Sequence, residues 1–341
     1  MEDIPIRDIP ADIENWSENF ALAGYDPKTN IGVFWHIGRW RKDLDLWREM
    51  VTLALPDGSI VAHRGIGDAH AGPQGPGSAL SGMKVGEEHR RQQWHFRGGA
   101  RRVQSETLLQ GQLRAGPGVP VKCALDFTSD LPIWSLGGGG NSSFAGHGHD
   151  EQIGRLTGEI RVGDEVFQFD AEVNRDHSRG PRLVGALTRH LWFQGIFENG
   201  LRFLAYTAHE GEAVEPTFSE ASVIVDGQLH PAKLTVEGRL PDEDPADHLD
   251  KPIAFSLVYD GGELRGEIVG YPHTMCFQFT SPWDSYVGAW PKEGEVCNRF
   301  LAEQSVIYRL EDGTAGHGHL ERTVPGRVLA DEELIRLAQP A

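Results

Sequence analysis

The sequence predicts an all-β protein, built as two antiparallel β-barrels side by side with a short C-terminal helix. Turn dipeptides such as Asp-Gly and Asn-Gly recur along the 341 residues and separate short segments rich in β-branched and aromatic residues. Helical periodicity is rare. Long antiparallel meanders usually close into barrels, because closure removes exposed edges, and the length suits two barrels of roughly 150–180 residues.

The predicted hairpins follow one another along the chain. Each places a turn between two apolar segments: "MVTLALPDGSIVAHR", "GEIRVGDEVFQFDAEV", "HLWFQGIFENGLRFLAYT", "ASVIVDGQLHPAKLTVEG", "PIAFSLVYDGGELRGEIVG" and "SVIYRLEDGTAGHGHLERT". The segment "RWRKDLDLWREM" fits either one helical turn or a charged strand. The C-terminal helix is predicted at "ADEELIRLAQ" (330–339).

Two domains are predicted, 1–185 and 186–341, each forming one barrel. The boundary follows a charged turn and precedes the hairpin that opens with "HLWFQGIF". Two glycine-rich stretches interrupt the first domain. Residues 65–86 read as a long loop, and residues 135–152 as a glycine linker that runs into a polar motif.

The charge and cysteine content exclude several classes of function. The formal net charge is −18, so a polyanion is repelled on average and no nucleic-acid partner is expected. Three widely spaced cysteines argue against a disulfide scaffold and suit a reducing compartment. The N-terminus lacks signal-peptide features, and no apolar run is long enough to cross a bilayer. A cytoplasmic protein without membrane insertion is therefore predicted.

The segment "NRDHSRGPR" (174–182) combines an acid, an imidazole and three guanidiniums. Neighbouring arginines keep a carboxylate ionised, and such a carboxylate orients a histidine for proton transfer. We therefore predict Asp176 and His177 as a catalytic pair, with Arg182 holding the acid or binding substrate. Both can serve one site only if the strand bends, and Gly180-Pro181 is the candidate bend. The alternative is a structural Asp-Arg latch.

A second polar motif occurs twice, as "AGHGHDEQIGR" and "AGHGHLERTVPGR". Spacing of two places His147, His149 and Glu151 on one face of a strand, and the repeat suggests a duplicated barrel. We assign His149 and Glu151 to catalysis and His147 to substrate binding. A metal site using His147, His149 and His177 remains an alternative, but the spacing fits a cupin-type site poorly, so no metal is predicted.

The sequence contains no motif for a serine nucleophile or a dinucleotide cofactor. Gly-x-Ser-x-Gly and a strand-linked GxGxxG are both missing, so we predict no cofactor. Aromatic residues are concentrated near the polar motifs instead. Trp134, Trp192 and Trp283 are predicted to line an apolar substrate pocket with few polar groups.

The arrangement of "GHGHDEQIGRLTGEI…EVNRDHSRGPR" before "HLWFQGIF" resembles the carotenoid 1,2-hydratase and AttH-like group, to which fungal Diels–Alderases are related. The resemblance implies two lipocalin-like barrels, an apolar ligand, and hydration, isomerisation or cyclisation without a redox cofactor. The group's turn usually reads Asp-His-x-Trp-Gly. Asp176, His177 and Gly180 match it, whereas Arg179 stands in place of the tryptophan.

These observations lead to one main functional hypothesis and two rivals. The main hypothesis is a cofactor-independent hydratase, isomerase or cyclase acting on an apolar terpenoid- or polyketide-like molecule. The first rival is a non-catalytic protein that binds a hydrophobic ligand in the same pocket. The second rival is a metal-dependent enzyme using the histidines.

Overall fold

The computed structural model describes residues 2–6, 13, 16–40, 43–68, 75–77, 80–109, 115–139, 148–181, 187–210, 215–236, 249–281, 284–287 and 299–325. The chain divides into two compact units. The first comprises Met1–Asp57, Val61–Arg102 and Pro117–Leu183. The second comprises Gly58–Ile60, Val103–Gly116 and Val184–Ala341.

Ten strands form the first sheet: β1 (Trp16–Asp26), β2 (Ile31–Trp40), β3 (Asp43–Ala54), β4 (Ser59–Asp68), β5 (Ser81–Glu87), β6 (Arg91–Gln104), β7 (Gly118–Thr128), β8 (Trp134–Ser135), β9 (Gly148–Val162) and β10 (Glu165–Pro181). Eight of them pair in the order β1-β2-β3-β4-β6-β7-β9-β10, and β10 returns to β1. The result is a closed antiparallel barrel. Strands β5 and β8 add to β6 and β9 outside this ring.

Nine strands form the second sheet: β11 (Leu187–Phe197), β12 (Arg202–Glu210), β13 (Phe218–Val225), β14 (Gln228–Val236), β15 (Ile253–Tyr259), β16 (Gly262–Ser281), β17 (Asp284–Val287), β18 (Arg299–Leu310) and β19 (Ala315–Pro325). The ring order is β11-β12-β13-β14-β15-β16-β18-β19, and β19 pairs with β11. The second unit is therefore also a closed eight-stranded antiparallel barrel, as predicted.

Each barrel is filled by apolar side chains from alternate positions of its strands. The first interior holds Trp35, Trp47, Trp94 and Phe127 among a continuous buried cluster. The second interior holds Phe193, Phe203, Phe255, Tyr308 and their neighbours. Side chains of these clusters define the inner face of each sheet, and the alternate residues define the outer face.

Several local predictions can be compared with the described strands. The described parts of the segment "RWRKDLDLWREM" form strands and not a helical turn, because they supply the end of β2 and the start of β3. The predicted loop 65–86 begins and ends in strand, since β4 runs to Asp68 and β5 spans Ser81–Glu87. One short helix, α1 (Ser105–Leu109), was not predicted; its Ser105 Oγ donates to the Thr274 carbonyl oxygen at 2.9 Å.

The predicted C-terminal helix (330–339) and the predicted boundary at 185/186 lie outside the described residues. Within the parts of the chain that the structure describes, no helix has the length and apolar character needed to cross a membrane.

Candidate functional site

Strand β10 carries the segment that the sequence analysis singled out. Its register with β1 and β9 is regular from Val173 to Arg179, so successive side chains alternate between the two faces of the sheet. Asp176 therefore points to the outer face and His177 to the inner face. The positive φ of Gly180 (128°) follows both residues and cannot turn them to one side. The predicted Asp176–His177 pair is thus wrong.

The outer face of β9 and β10 brings four polar residues together, which we call the His149 cluster: His149, Glu151, Asn174 and Asp176. Glu151 lies directly across from Asp176 in the strand register. His149 Nε2 contacts Asp176 Oδ2 and lies 3.5 Å from Glu151 Oε1. Asn174 Nδ2 donates to Glu151 Oε2 at 3.0 Å.

Solvent is excluded from the whole His149 cluster. Its side chains are buried although they point away from the barrel interior. Trp134 is buried beside them and lies across from Glu151 on β8. Removing a carboxylate from water is costly unless it is paired and hydrogen-bonded. Contact with His149 and Asn174 supplies such partners, and the low local dielectric strengthens each interaction.

His177 instead belongs to a network on the inner face. Its ring stacks on Phe20 with centroids 3.9 Å apart, and its Nε2 lies 3.3 Å from Glu18 Oε1. Arg39 Nε contacts the other Glu18 oxygen at 3.0 Å. Burial alone would raise the pKa of Glu18, but hydrogen bonding and charge from His177, with the Ile6 amide and Arg39, hold it below its usual value.

The N-terminal residues complete this inner network. The Ile6 amide donates to Glu18 Oε1 at 3.0 Å. Buried Asp3 forms an ion pair with Arg175, with 2.9 Å between Asp3 Oδ1 and Arg175 Nη1. Arg175 also donates to Gln152 Oε1, which is its cross-strand partner on β9. Arg175 thus serves the inner face, so it is not one of the neighbouring arginines that could hold Asp176 ionised.

The second unit contains a comparable group, the Glu303 cluster: His190, Glu303, His319 and Glu321. Glu303 and Glu321 lie directly across from each other on β18 and β19. His319 Nε2 lies 2.6 Å from Glu303 Oε2, and His190 Nε2 lies 2.7 Å from Glu321 Oε1. Trp192, across from Glu321 on β11, places its ring centroid 6.0 Å from that of His319.

His190, Glu303 and His319 of the Glu303 cluster are buried and Glu321 is partly buried, and this burial affects their protonation. Desolvation lowers the pKa of His319 to about 4, so its ring is neutral at pH 7. Burial would raise the pKa of Glu321, but the hydrogen bond and charge of His190, with further contributions from Glu303 and His319, hold it at about 2. A neutral imidazole and an ionised carboxylate therefore lie within one group.

The two clusters occupy equivalent places in their barrels. In each ring order, a pair of acidic residues links the seventh and eighth strands on the outer face: Glu151 with Asp176, and Glu303 with Glu321. The two His-x-His motifs are not equivalent, because His149 of the first lies on the seventh strand, whereas His317 and His319 of the second lie on the eighth. The repeated sequences "AGHGHDEQIGR" and "AGHGHLERTVPGR" therefore do not mark equivalent strands of the two barrels.

The structure places the predicted site residues in different surroundings. It brings His149, Glu151, Asp176 and Trp134 together, whereas His177 lies on the opposite face and Trp192 belongs to the second unit. His147, Arg182 and Trp283 lie outside the described residues. Four interacting residues were given no role from the sequence: Glu18, Asn174, His190 and Glu303. Asn174 and His190 begin the quoted segments "NRDHSRGPR" and "HLWFQGIF", whereas no motif marks Glu18 or Glu303.

A cavity of about 390 Å³ also lies on the first unit, near the turn between β5 and β6. Its lining is mostly polar or charged and includes Arg90, Arg155, Asp130 and Glu172. Neither Trp134 nor any residue of the His149 cluster belongs to that lining. This cavity is therefore not the predicted apolar pocket.

Comparison with known proteins identifies a family and a set of structural relatives. A family model described as "Domain of unknown function (DUF7064)" matches residues 6–244. No curated protein matches the sequence. Three similar solved structures belong to the two-barrel group that the sequence resembles.

The first is an AttH-type protein from Nitrosomonas europaea, with a TM-score of 0.55 and 12% identity over 92% of this chain and 94% of that one. The second is CghA, with a TM-score of 0.57 and 10% identity over 96% and 95%. The third is kievitone hydratase from Nectria haematococca, with a TM-score of 0.52 and 10% identity over 90% and 88%. At these identities the likeness establishes the fold.

Proposed function

The chain belongs to the DUF7064 family, and we propose that it is a cofactor-independent acid/base enzyme of the hydratase, isomerase or cyclase type. The proposed substrate is an apolar small molecule of terpenoid or polyketide character. One observation carries the proposal: the buried contact between His149 and Asp176, with Glu151 and Trp134 adjacent. The presence of a hydratase among the proteins of similar fold supports the reaction class.

The chemistry follows from this contact. Protonated His149, held at Nε2 by the Asp176 carboxylate, donates its Nδ1 proton to an alkene carbon and a C–H bond forms. Water adds to the resulting cation, a C–O bond forms, and the released proton returns to the histidine. The sum is alkene plus water giving an alcohol. Loss of a proton from another carbon instead gives an isomer. Glu151, held by Asn174, is the second base available to these steps.

The test uses proton transfer from solvent, because the substrate is unidentified. The purified protein is incubated with β-myrcene, squalene and prenylated phenols in D₂O, and deuterium incorporation is measured by mass spectrometry. We expect turnover of at least one class, and a loss of about 100-fold or more in His149→Gln. His63→Gln, which alters another His–carboxylate pair of the same barrel, should retain turnover.

Two results separate the rival functions. Tight binding of a probe with no deuterium incorporation in any class would favour a non-catalytic binding protein. Equal turnover in wild type and His149→Gln would refute the acid/base role of the cluster.

A metal-dependent enzyme is the second candidate, and a specific feature favours it. Ligand atoms of His149, Glu151 and Asp176 all lie within 4.8 Å of one another, a spacing that suits one divalent ion. The earlier variant with His177 as a ligand is wrong, since that side chain lies on the other face. We expect turnover to survive exhaustive chelation. Stoichiometric metal by elemental analysis, lost in Asp176→Asn, would support the metal instead.

A further inference from the structure

Polar side chains flank His319 on both neighbouring strands of the second barrel. In the strand register, His319 lies across from Gln194 on β11 and from Ser305 on β18. All three side chains are on the outer face and at least 99% buried. We call this row the Gln194–Ser305 site.

The side-chain polar atoms of Gln194 and Ser305 are unsatisfied. Both amide atoms of Gln194 and the hydroxyl of Ser305 are buried, and the described structure offers none of them a hydrogen-bond partner. By contrast, buried Gln152 of the first barrel binds Arg175 through its oxygen and the Leu131 carbonyl through its nitrogen. Buried polar groups are almost always hydrogen-bonded, so three unsatisfied atoms in one row indicate a bound molecule.

The chemistry of the site restricts what that molecule can be. An amide nitrogen and a hydroxyl donate, and an amide oxygen accepts, so the ligand must both accept and donate. The nearby ionised carboxylate of Glu321 disfavours an anion by charge repulsion. The unsatisfied groups carry no charge themselves, so they do not select a cation. The Trp192 ring beside His319 offers an apolar contact.

We propose that Gln194 and Ser305 bind the hydroxyl group of a neutral, otherwise apolar alcohol. The hydroxyl accepts from Gln194 Nε2 or Ser305 Oγ and donates to Gln194 Oε1, while its hydrocarbon part packs against Trp192. The site belongs to the second unit and goes beyond the proposed acid/base chemistry. It requires no turnover, so it stands even if that function fails.

The test compares three probes with the same hydrocarbon: geraniol, geranylamine and geranic acid. Affinity for the full-length protein is measured by titration calorimetry. We expect geraniol to bind about tenfold or more tightly than the amine or the acid. Gln194→Leu and Ser305→Ala should each weaken geraniol binding about tenfold, while the melting temperature is unchanged or higher, because an unsatisfied buried group is removed.

Ser222→Ala is the matched control. Ser222 is also buried on the second barrel, two strands from Gln194 in the same row, and its loss should leave geraniol affinity unchanged. Failure of geraniol to bind would mean that the site holds water only and would overturn the proposal. So would unchanged affinity in both site variants, or equal binding of all three probes. If Gln194→Leu fails to fold, Ser305→Ala decides alone.

Discussion

At the scale of single residues, the segment "NRDHSRGPR" shows that a regular strand places neighbouring charged side chains on opposite faces of the sheet. Its residue types were recognised as a site from the sequence, but the pairing between neighbours was wrong. Alternation sends Asp176 to His149 and sends His177 to Glu18. Glu18 lies 159 residues away in the chain, so no local pattern could have identified it.

The first prediction concerns the charge on Asp176. Asp176→Asn removes the anionic partner of buried His149, and we expect a loss of about 1.5–3 kcal/mol in the free energy of unfolding, as for hydrogen bonds to charged groups. Asp170→Asn is the control on the same strand, because Asp170 pairs with Arg155 at the surface and should matter little. Urea unfolding of both variants checks this. Equal effects would contradict a special role for the buried pair.

The second prediction concerns pH and His319. Its folded pKa is about 4 against an ordinary 6.5, so between these values the unfolded chain binds a proton that the folded chain does not. The contribution of neutral His319 to the free energy of unfolding is fully present above pH 6.5. As the pH falls from 6.5 to 4, the free energy of unfolding decreases by about 3 kcal/mol. His319→Gln cannot titrate and should lose less stability over that interval.

Urea unfolding across this pH interval measures the difference. His230→Gln, which changes a surface histidine paired with Asp260, is the control and should keep the wild-type pH dependence. An identical pH dependence in His319→Gln and wild type would show that this histidine is not the group responsible.

At the scale of elements, turn chemistry made the strands predictable. Asn199-Gly200, Asp226-Gly227 and Asp312-Gly313 each join two paired strands, and all three glycines have positive φ. Such turns are local, so the sequence reveals them. The equivalence of the two carboxylate pairs was not predictable, because it depends on which strand of the ring carries each residue. The repeated His-x-His motif suggested the wrong equivalence, because its two copies belong to the seventh and the eighth strand.

The third prediction concerns the close approach of β9 to β7 at Gly158. Its φ is 149°, and a Cβ there would lie 2.1 Å from the Ala124 carbonyl oxygen. Since that oxygen belongs to the backbone, the strands would have to move apart. We expect Gly158→Ala to destabilise the protein by more than about 2 kcal/mol. Gly163→Asn, in the open β9–β10 turn, should be tolerated, and thermal unfolding compares them.

At the scale of the whole molecule, length and pattern predicted two closed barrels, because closure is the general solution for a long antiparallel meander. The role of the N-terminal residues was not predicted. Asp3 and Ile6 bind Arg175, His89 and Glu18 through contacts between distant parts of the chain, and a short polar segment carries no signal of them. The net charge, by contrast, is a property of the whole molecule that can be read directly from the sequence.

The last prediction follows from that charge. At −18, like charges repel one another across the folded surface, and unfolding relieves part of this repulsion. Salt screens it, since the Debye length falls from tens of ångströms to below about 10 Å as salt rises from about 10 to 200 mM. We therefore expect the urea midpoint to rise with NaCl over this range. The same field should prevent binding of single- or double-stranded DNA at low salt, which fluorescence anisotropy measures. A midpoint that falls with salt would mean that attractive ion pairs outweigh the net repulsion. DNA binding at low salt would mean that a local basic surface overrides it.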